Sequence, residues 1–98
     1  MKKVVRQVVG IDVAQDDLVV SIGKMYADFS LEIVSRATFG NKLKGFEKLM
    51  QWLEPLTDKA VQLRFVMEAT GVYHQSVAYY LNDNGYAVTI VLPNKMSN

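Results

Sequence analysis

Two acidic residues, Asp12 and Glu68, stand where carboxylates can take part in chemistry. Asp12 closes a run rich in β-branched residues at 4–12, and Glu68 follows a second apolar run at 61–67. In α/β proteins, site residues are commonly placed at the carboxyl ends of central strands. Carboxylate oxygens suit Mg²⁺, and two such ions about 4 Å apart can activate a nucleophile and stabilise a leaving oxygen in phosphodiester chemistry. The pair is therefore the first candidate for a metal site.

Each carboxylate also has a purely structural interpretation. An Asp that follows a strand commonly forms an Asx turn with the backbone just beyond it. A Glu close to the start of a helix can simply interact with the helix dipole. Considered one at a time, the two positions leave these interpretations open.

The periodicity of the chain predicts how the two positions come together. It predicts three strands, a helix, a fourth strand, a second helix and a fifth strand. The short polar link after Asp12 makes the first two strands an antiparallel hairpin, and the helical crossovers allow parallel pairing afterwards. In the simplest sheet the fourth strand lies beside the first, so Asp12 and Glu68 leave neighbouring strands at the same end. The predicted strands are 4–12, 17–23, 31–39, 61–67 and 86–92; Asn41 caps the first helix, Pro55 stops it after Glu54, and the second helix spans about 72–82.

The apolar pattern also predicts the packing. The first strand is apolar on both faces, which is typical of a central strand covered above and below. The third strand carries Glu32, Arg36 and Thr38 on one face, which is typical of an edge strand with one wet side. The predicted buried positions are Leu43, Phe46, Leu49, Met50 and Leu53 in the first helix and Val72, Val77, Tyr80 and Leu81 in the second.

Composition narrows the class of protein. The 98 residues form one domain of ordinary globular composition, with 50% apolar and 21% charged residues. The absence of cysteine excludes disulfides and thiolate metal sites. No apolar run approaches the roughly 20 residues of a membrane helix, and the N-terminus lacks a secretory signal, so we expect a cytoplasmic chain with no membrane partner. A net charge of +1 means that any nucleic-acid binding requires a local patch. The last residues, 93–98, follow a strand and lead nowhere, which indicates a fragment.

Two blocks, 9–16 and 66–74, resemble the signature blocks of a bacterial transposase family. They read Val-Gly-Ile-Asp-Val-Ala-Gln-Asp and Val-Met-Glu-Ala-Thr-Gly-Val-Tyr-His. The family is that of insertion-sequence transposases with a RuvC-like, DEDD-type domain, now associated with bridge-RNA-guided recombination. The segment 41–53 is similar to the family's intervening helix, so the resemblance covers nearly the whole chain in the right order.

The resemblance implies an α/β fold of the RNase H-like (RuvC-like) type with a mixed five-stranded sheet. It also implies a Mg²⁺ (or Mn²⁺) site of four acidic residues, in which Asp12 and Glu68 are the first two catalytic metal ligands. The other two ligands, an Asp-x-x-Asp pair on a later helix, and the serine nucleophile of a C-terminal domain have no counterpart in residues 1–98. We therefore expect a single domain, 1–98, that is the N-terminal part of a transposase catalytic domain. Alone it should be inactive and bind metal weakly, and its expected partners are DNA, a guide (bridge) RNA and further copies of itself.

Four residues after Glu68 are candidates for contact with nucleic acid. Thr70 and Gly71 lie where the second helix is predicted to begin, and the free N–H groups of a helix start favour a phosphate or a carboxylate. Tyr73 and His74 could stack on bases or bond to them. A lone His at such a position is more often incidental, so this assignment is weaker than that of the acidic pair.

Two other functions remain open. The chain could be a non-catalytic α/β interaction module in which Asp12 and Glu68 serve turns and caps. It could also be an actin-like ATPase domain, because Val9-Gly10-Ile11-Asp12 before a hairpin resembles the first phosphate loop of actin-like ATPases and sugar kinases. Those proteins normally follow the Asp with glycine and a hydroxyl residue, whereas Val13-Ala14-Gln15 fills that space here.

Overall fold

A computed structural model describes residues 3–69 and 71–92. The elements follow the predicted order, with one short 3-10 helix added after the first α-helix, where Pro55 lies. They are β1 (Val4–Val13), β2 (Asp17–Tyr26), β3 (Leu31–Gly40), α1 (Leu43–Leu53), the 3-10 helix (Glu54–Leu56), β4 (Leu63–Glu68), α2 (Gln75–Asp83) and β5 (Ala87–Val91).

The five strands form one mixed sheet in the order β3-β2-β1-β4-β5. The β1–β2 and β2–β3 pairs are antiparallel, whereas β4 pairs in parallel with both β1 and β5. This confirms the predicted hairpin, the central position of β1, the edge position of β3 and the placement of the fourth strand beside the first. The α/β architecture with a mixed five-stranded sheet is thus as the sequence predicted.

The core lies between one face of this sheet and both helices. The strands alternate, so every second residue of β1, β2 and β4 points toward the helices and is buried. Burying each such Val, Leu, Ile or Phe stabilises the fold by about 1.5–3 kcal/mol. The fully or nearly buried apolar residues are Val9, Ile11, Leu18, Val20, Ile22, Phe46, Leu49, Leu53, Phe65, Met67, Val77 and Leu81.

The opposite face of the sheet is uncovered within residues 3–69 and 71–92. On β1 this face carries Val8, which is 36% exposed, and the exposed Asp12. On β3 it carries Leu31 and Ile33, which are 77% and 65% exposed. A register shift at Val34 places Arg36 and Thr38 on this face as well, so Glu32 does not share their face as the alternation had predicted. The expectation that β1 is covered above and below is therefore wrong for the described residues, because both crossover helices pack on the same side. This uncovered surface is called the open face below.

The start of α1 differs from the prediction. Lys42, not Asn41, is the N-cap residue, and it makes no side-chain capping hydrogen bond. Leu43 was expected in the buried stripe but is mostly exposed, whereas Met50 is half-buried. Gly45 allows the helix to lie against the end of β3, since a Cβ at Gly45 would stand 1.8 Å from the carbonyl oxygen of Gly40.

The start of α2 also differs. The helix begins at Gln75 rather than at Val72, because Gly71 has a left-handed φ of 95° and the N–H of Gln75 closes a turn onto the carbonyl of Val72. Val72, predicted to be buried, is 64% exposed. Thr70, which the sequence places at the predicted start of this helix, lies outside the described residues. None of the described helices is long and apolar enough to cross a membrane.

Candidate active site on the open face

The register of the sheet brings Asp12 and Glu68 to neighbouring positions. Ile11 on β1 pairs with Met67 on β4, and the two carboxylate-bearing residues follow directly. Since Ile11 and Met67 point into the core, Asp12 and Glu68 both point to the open face. Adjacent strands lie about 4.8 Å apart, so the two side chains stand side by side at one end of the sheet.

The surroundings of the two carboxylates do not match the structural roles considered above. Both residues are exposed, and neither carboxylate has a hydrogen bond or ion pair to another described residue. The β1–β2 turn is closed by the backbone, from the N–H of Ala14 to the carbonyl of Asp17. Since α2 begins only at Gln75, Glu68 lies outside its first turn. Turn formation and helix capping therefore do not account for the two acids.

A groove on the open face contains both acids and a cation. Besides Asp12 and Glu68 it is lined by Gly10, Ser21 and Arg36, with valines from the neighbouring strands. The Nε of Arg36 donates a hydrogen bond to the Oγ of Ser21, at 3.0 Å, across the β2–β3 pair. The groove thus has carboxylates on one side, a guanidinium on the other and a glycine between them.

A buried glutamine that the sequence analysis did not single out aligns the two strands. Gln7 is 1% exposed and lies opposite Leu63, where the β1–β4 pairing begins. Its Nε2 donates to the carbonyl oxygens of Asp58 and Val61, both at 2.7 Å, and its Oε1 accepts from the N–H of Asp58 at 3.0 Å. These bonds join β1 to the loop that leads into β4, so they help to set the register that places Glu68 beside Asp12. The one feature of the sequence that could have indicated this role is the presence of a polar residue within a run of valines.

Asn41 joins the two loops at the same end of the sheet. Its Nδ2 donates to the carbonyl oxygens of Ala14, at 2.9 Å, and of Tyr73, at 3.0 Å. Its backbone N–H donates to the carbonyl of Asp16. The residue predicted to cap α1 therefore connects the loop after Asp12 with the loop after Glu68.

The other sequence candidates lie near this end but outside the groove. Gly71, Tyr73 and His74 form the turn before α2, and Tyr73 is 45% exposed with its carbonyl held by Asn41. His74 is the N-cap residue of α2, and its Nδ1 is buried with no hydrogen-bond partner among the described residues. His74 is thus less available to a ligand than Tyr73.

The two carboxylates are suitable ligands for a hard divalent cation, but they are few. Asp12 and Glu68 offer adjacent carboxylate oxygens, which are the ligands that Mg²⁺ or Mn²⁺ takes. No cluster of three or more His, Cys, Asp or Glu residues occurs in the part of the chain that the structure describes. Two carboxylates supply only part of the oxygen ligands of such an ion, and further ligands would have to come from substrate, water or other residues.

Solved structures resemble the fold. The crystal structure of the Aquifex aeolicus member of the Ppx/GppA protein family matches with a TM-score of 0.50 and 16% identity, over 90% of this chain and 35% of that chain. The structure of the Aquifex aeolicus PPX-GPPA enzyme matches with a TM-score of 0.50 and 13% identity, over 90% and 36%. At such identities the likeness concerns the fold alone, and this chain spans about a third of the length of those proteins. A search of the curated proteins finds no match.

The sequence itself matches a family. The profile of the IS110-type DEDD transposase family, described as a transposase, matches residues 9–98. The matched region includes β1 from Val9 onward, the acidic pair and the groove between them. Because this match extends over nearly the whole sequence, the chain belongs to the IS110-type DEDD transposase family.

Proposed function

We propose that the chain is the N-terminal part of an RNase H-like (RuvC-like) catalytic domain in a DNA transposase. In this proposal Asp12 and Glu68 are catalytic metal ligands for Mg²⁺ or Mn²⁺, and the remaining ligands lie elsewhere in the full-length protein. Residues 1–98 form one domain unit of that protein. The observation that carries the proposal is the parallel β1–β4 register, which sets two exposed carboxylates side by side at a strand end within a transposase sequence.

The chemistry proposed for the site is phosphodiester cleavage and joining in DNA. A bound divalent ion would supply Lewis-acid activation of the attacking oxygen and stabilisation of the leaving oxygen. Asp12 and Glu68 would hold that ion on two hydrogen-bonded strands, where their mutual repulsion cannot drive them apart. The hydrogen bonds of Gln7 and Asn41 would help to hold β1 and β4 in the register that sets the two carboxylates side by side.

The proposed partners follow from the family. DNA is the substrate of a transposase, and a guide (bridge) RNA and further copies of the chain are proposed as additional partners. The turn at Gly71 and Tyr73, together with Thr70 and His74, is proposed to contact nucleic acid next to the acidic pair. Tyr73 is the best placed of these, because its side chain is partly exposed while its backbone is held.

The experiment uses the full-length transposase with its DNA substrate in Mg²⁺ or Mn²⁺. Asp12→Asn and Glu68→Gln should each lower the rate of strand cleavage by at least about 100-fold, since loss of a direct ligand should cost no less than the 10–100-fold typical of residues that only support a ligand. Asp83→Asn, on the exposed surface of α2, removes the same charge away from the site and should leave the rate unchanged. Cleavage by the Asp12→Asn protein at the wild-type rate would overturn the assignment of Asp12 as a metal ligand.

The isolated residues 1–98 provide a second arm of the same experiment. With two of the four acids implied by the family resemblance, this chain should show no metal-dependent cleavage. Clear Mg²⁺-dependent cleavage of DNA by residues 1–98 would contradict the proposal that the site is half complete.

A second candidate function is phosphate binding of the ATPase type. This candidate rests on the resemblance of Val9-Gly10-Ile11-Asp12 to a phosphate loop, since the likeness to the Ppx/GppA proteins concerns the fold alone. In this chain Val13 and Ala14 directly follow Asp12, and they occupy the place where such loops carry glycine and a hydroxyl residue. Tight ATP binding by the chain, lost in Asp12→Asn, would favour this candidate over the transposase site.

A further inference from the structure

The arginines of the chain share a distinctive position. The sequence contains three, Arg6, Arg36 and Arg64, and each lies on a strand. Arg6 alternates with Val8 and Asp12 on β1, and Arg64 alternates with Glu68 on β4. Arg36 lies opposite Ser21, which lies opposite Gly10. All three therefore project from the open face, the same face as the acidic pair.

Arg36 is the arginine that shares the groove with the two carboxylates. Arg36 is on β3 and Asp12 is on β1, with β2 between them. Along the strand direction, Arg36 is offset from Asp12 by two residues. With strands about 4.8 Å apart and a rise of about 3.4 Å per residue, the two Cα atoms are separated by about 12 Å. The described residues form no ion pair between Arg36 and either carboxylate. A short piece of nucleic-acid backbone can span the distance between them.

We propose that Arg36 binds a backbone phosphate of the DNA strand whose scissile phosphate lies at Asp12 and Glu68. This inference rests on the proposed function and adds a positioning residue to it. The strand would lie across Gly10, between the guanidinium and the acidic pair. A Cβ at Gly10 would meet no atom within 4 Å, so packing within the described residues does not require a glycine there. A glycine in the interior of a strand often marks a bulge, a tight bend or the close approach of a ligand or another backbone. Because β1 pairs regularly with both neighbouring strands at Gly10, no bulge explains this glycine.

The contacts of Arg36 favour a phosphate ligand. Its Nε donates a hydrogen bond to Ser21, which restrains the planar guanidinium, and its Nη groups make no hydrogen bond to the other described residues. Among the described residues Arg36 has no carboxylate within ion-pair distance. A preoriented guanidinium matches the geometry of a phosphate better than an ammonium group does, because it donates two parallel hydrogen bonds.

The test measures DNA affinity of the full-length transposase in EDTA, so that no metal-dependent step contributes. The logarithm of affinity falls linearly with the logarithm of salt concentration, and each phosphate contact makes the slope of this fall steeper by about 0.7–0.9. Arg36→Gln should lower that slope by this amount and weaken binding by about 5–8-fold at about 0.1 M KCl. Arg36→Lys should recover the slope but only part of the affinity, and Ser21→Ala should weaken binding without changing the slope.

The control is Lys48→Gln, which removes one positive charge from the exposed surface of α1, on the other side of the sheet. It should leave both the slope and the affinity unchanged. If wild-type protein binds DNA and Arg36→Gln has the wild-type slope, the role of Arg36 is wrong while the proposed function stands. If the wild-type protein does not bind DNA at all, the proposed function itself fails. Ser21→Ala and Arg36→Lys keep the test decisive should Arg36→Gln fold poorly.

Discussion

At the scale of single residues, the decisive feature is which way a side chain points from its strand. Asp12 and Glu68 each follow a buried residue, Ile11 and Met67, and so both face away from the helices. Carboxylates this close repel each other and destabilise the metal-free fold unless a cation lies between them. A pair retained only for turns and caps would show no such effect.

The first prediction concerns this repulsion. The double variant Asp12→Asn and Glu68→Gln should be more stable than the wild-type chain in EDTA, by about 0.5 kcal/mol, as expected for like charges side by side in a sheet. That corresponds to a rise in Tm of about 2–4 °C for a domain of this size. The control variant, Glu47→Gln, removes an acid from an exposed position in the middle of α1, away from either helix end, and should not raise the Tm. An unchanged or lower Tm in the site variant would favour the non-catalytic interaction module.

At the scale of elements, the site depends on how β4 is fitted against β1. The turn hydrogen bonds of Gln7 hold the loop before β4, and those of Asn41 connect the two loops beyond the strand ends. Neither role can be read from helix or strand propensity, because both side chains bond to backbone groups that are distant in sequence. Asn41 looks like a helix cap in the sequence, since a polar residue directly precedes the helix pattern.

The second prediction concerns Gln7. Replacing it with Leu removes the partners of two carbonyl oxygens and one N–H, and should lower the free energy of unfolding by about 2–3 kcal/mol. Gln62→Leu, at an exposed position in the same loop region, should have little effect. Urea unfolding measures both variants. Equal losses in the two variants would show that the buried bonds of Gln7 contribute nothing specific.

At the scale of the whole molecule, both helices cover one face of the sheet and leave the other face open over the described residues. The aromatic side chains Trp52 and Tyr80 belong to the covered side, where they contact Phe39 and Phe46. Sheets with parallel strands are usually covered on both faces. The exposed apolar residues of the open face, with β3 at the sheet edge, make association between copies of the isolated chain the expected behaviour.

The third prediction concerns this association. The apparent molecular mass of residues 1–98 in sedimentation should rise with concentration. Ile33→Lys, at a 65% exposed position on the open face, should shift the chain toward monomer. Leu43→Lys, at a 59% exposed position on α1, introduces the same charge on the helical side and should not do so. A wild-type chain that stays monomeric at high concentration would contradict the expected homo-oligomer.

The sequence by itself determined the elements, their order and the neighbouring placement of Asp12 and Glu68. Alternation and helical periodicity are local signals, and a short link or a helical crossover leaves few topologies for each pair of strands. The errors in the bounds of the elements lie at helix starts, where the left-handed Gly71 delays α2 and tertiary hydrogen bonds withdraw Asn41 from capping.

Only the tertiary structure decided which face of the sheet the helices cover, and therefore that the acidic pair shares an open groove with Arg36. A strand that is apolar on both faces, such as β1, carries no local signal of which side a distant helix will occupy. The partners of Gln7 and Arg36 lie on segments far away or across a strand pair, and they meet only when the register of the sheet is established. Register arises from the packing of all the strands together, which is why the geometry of the site appears only in the folded chain.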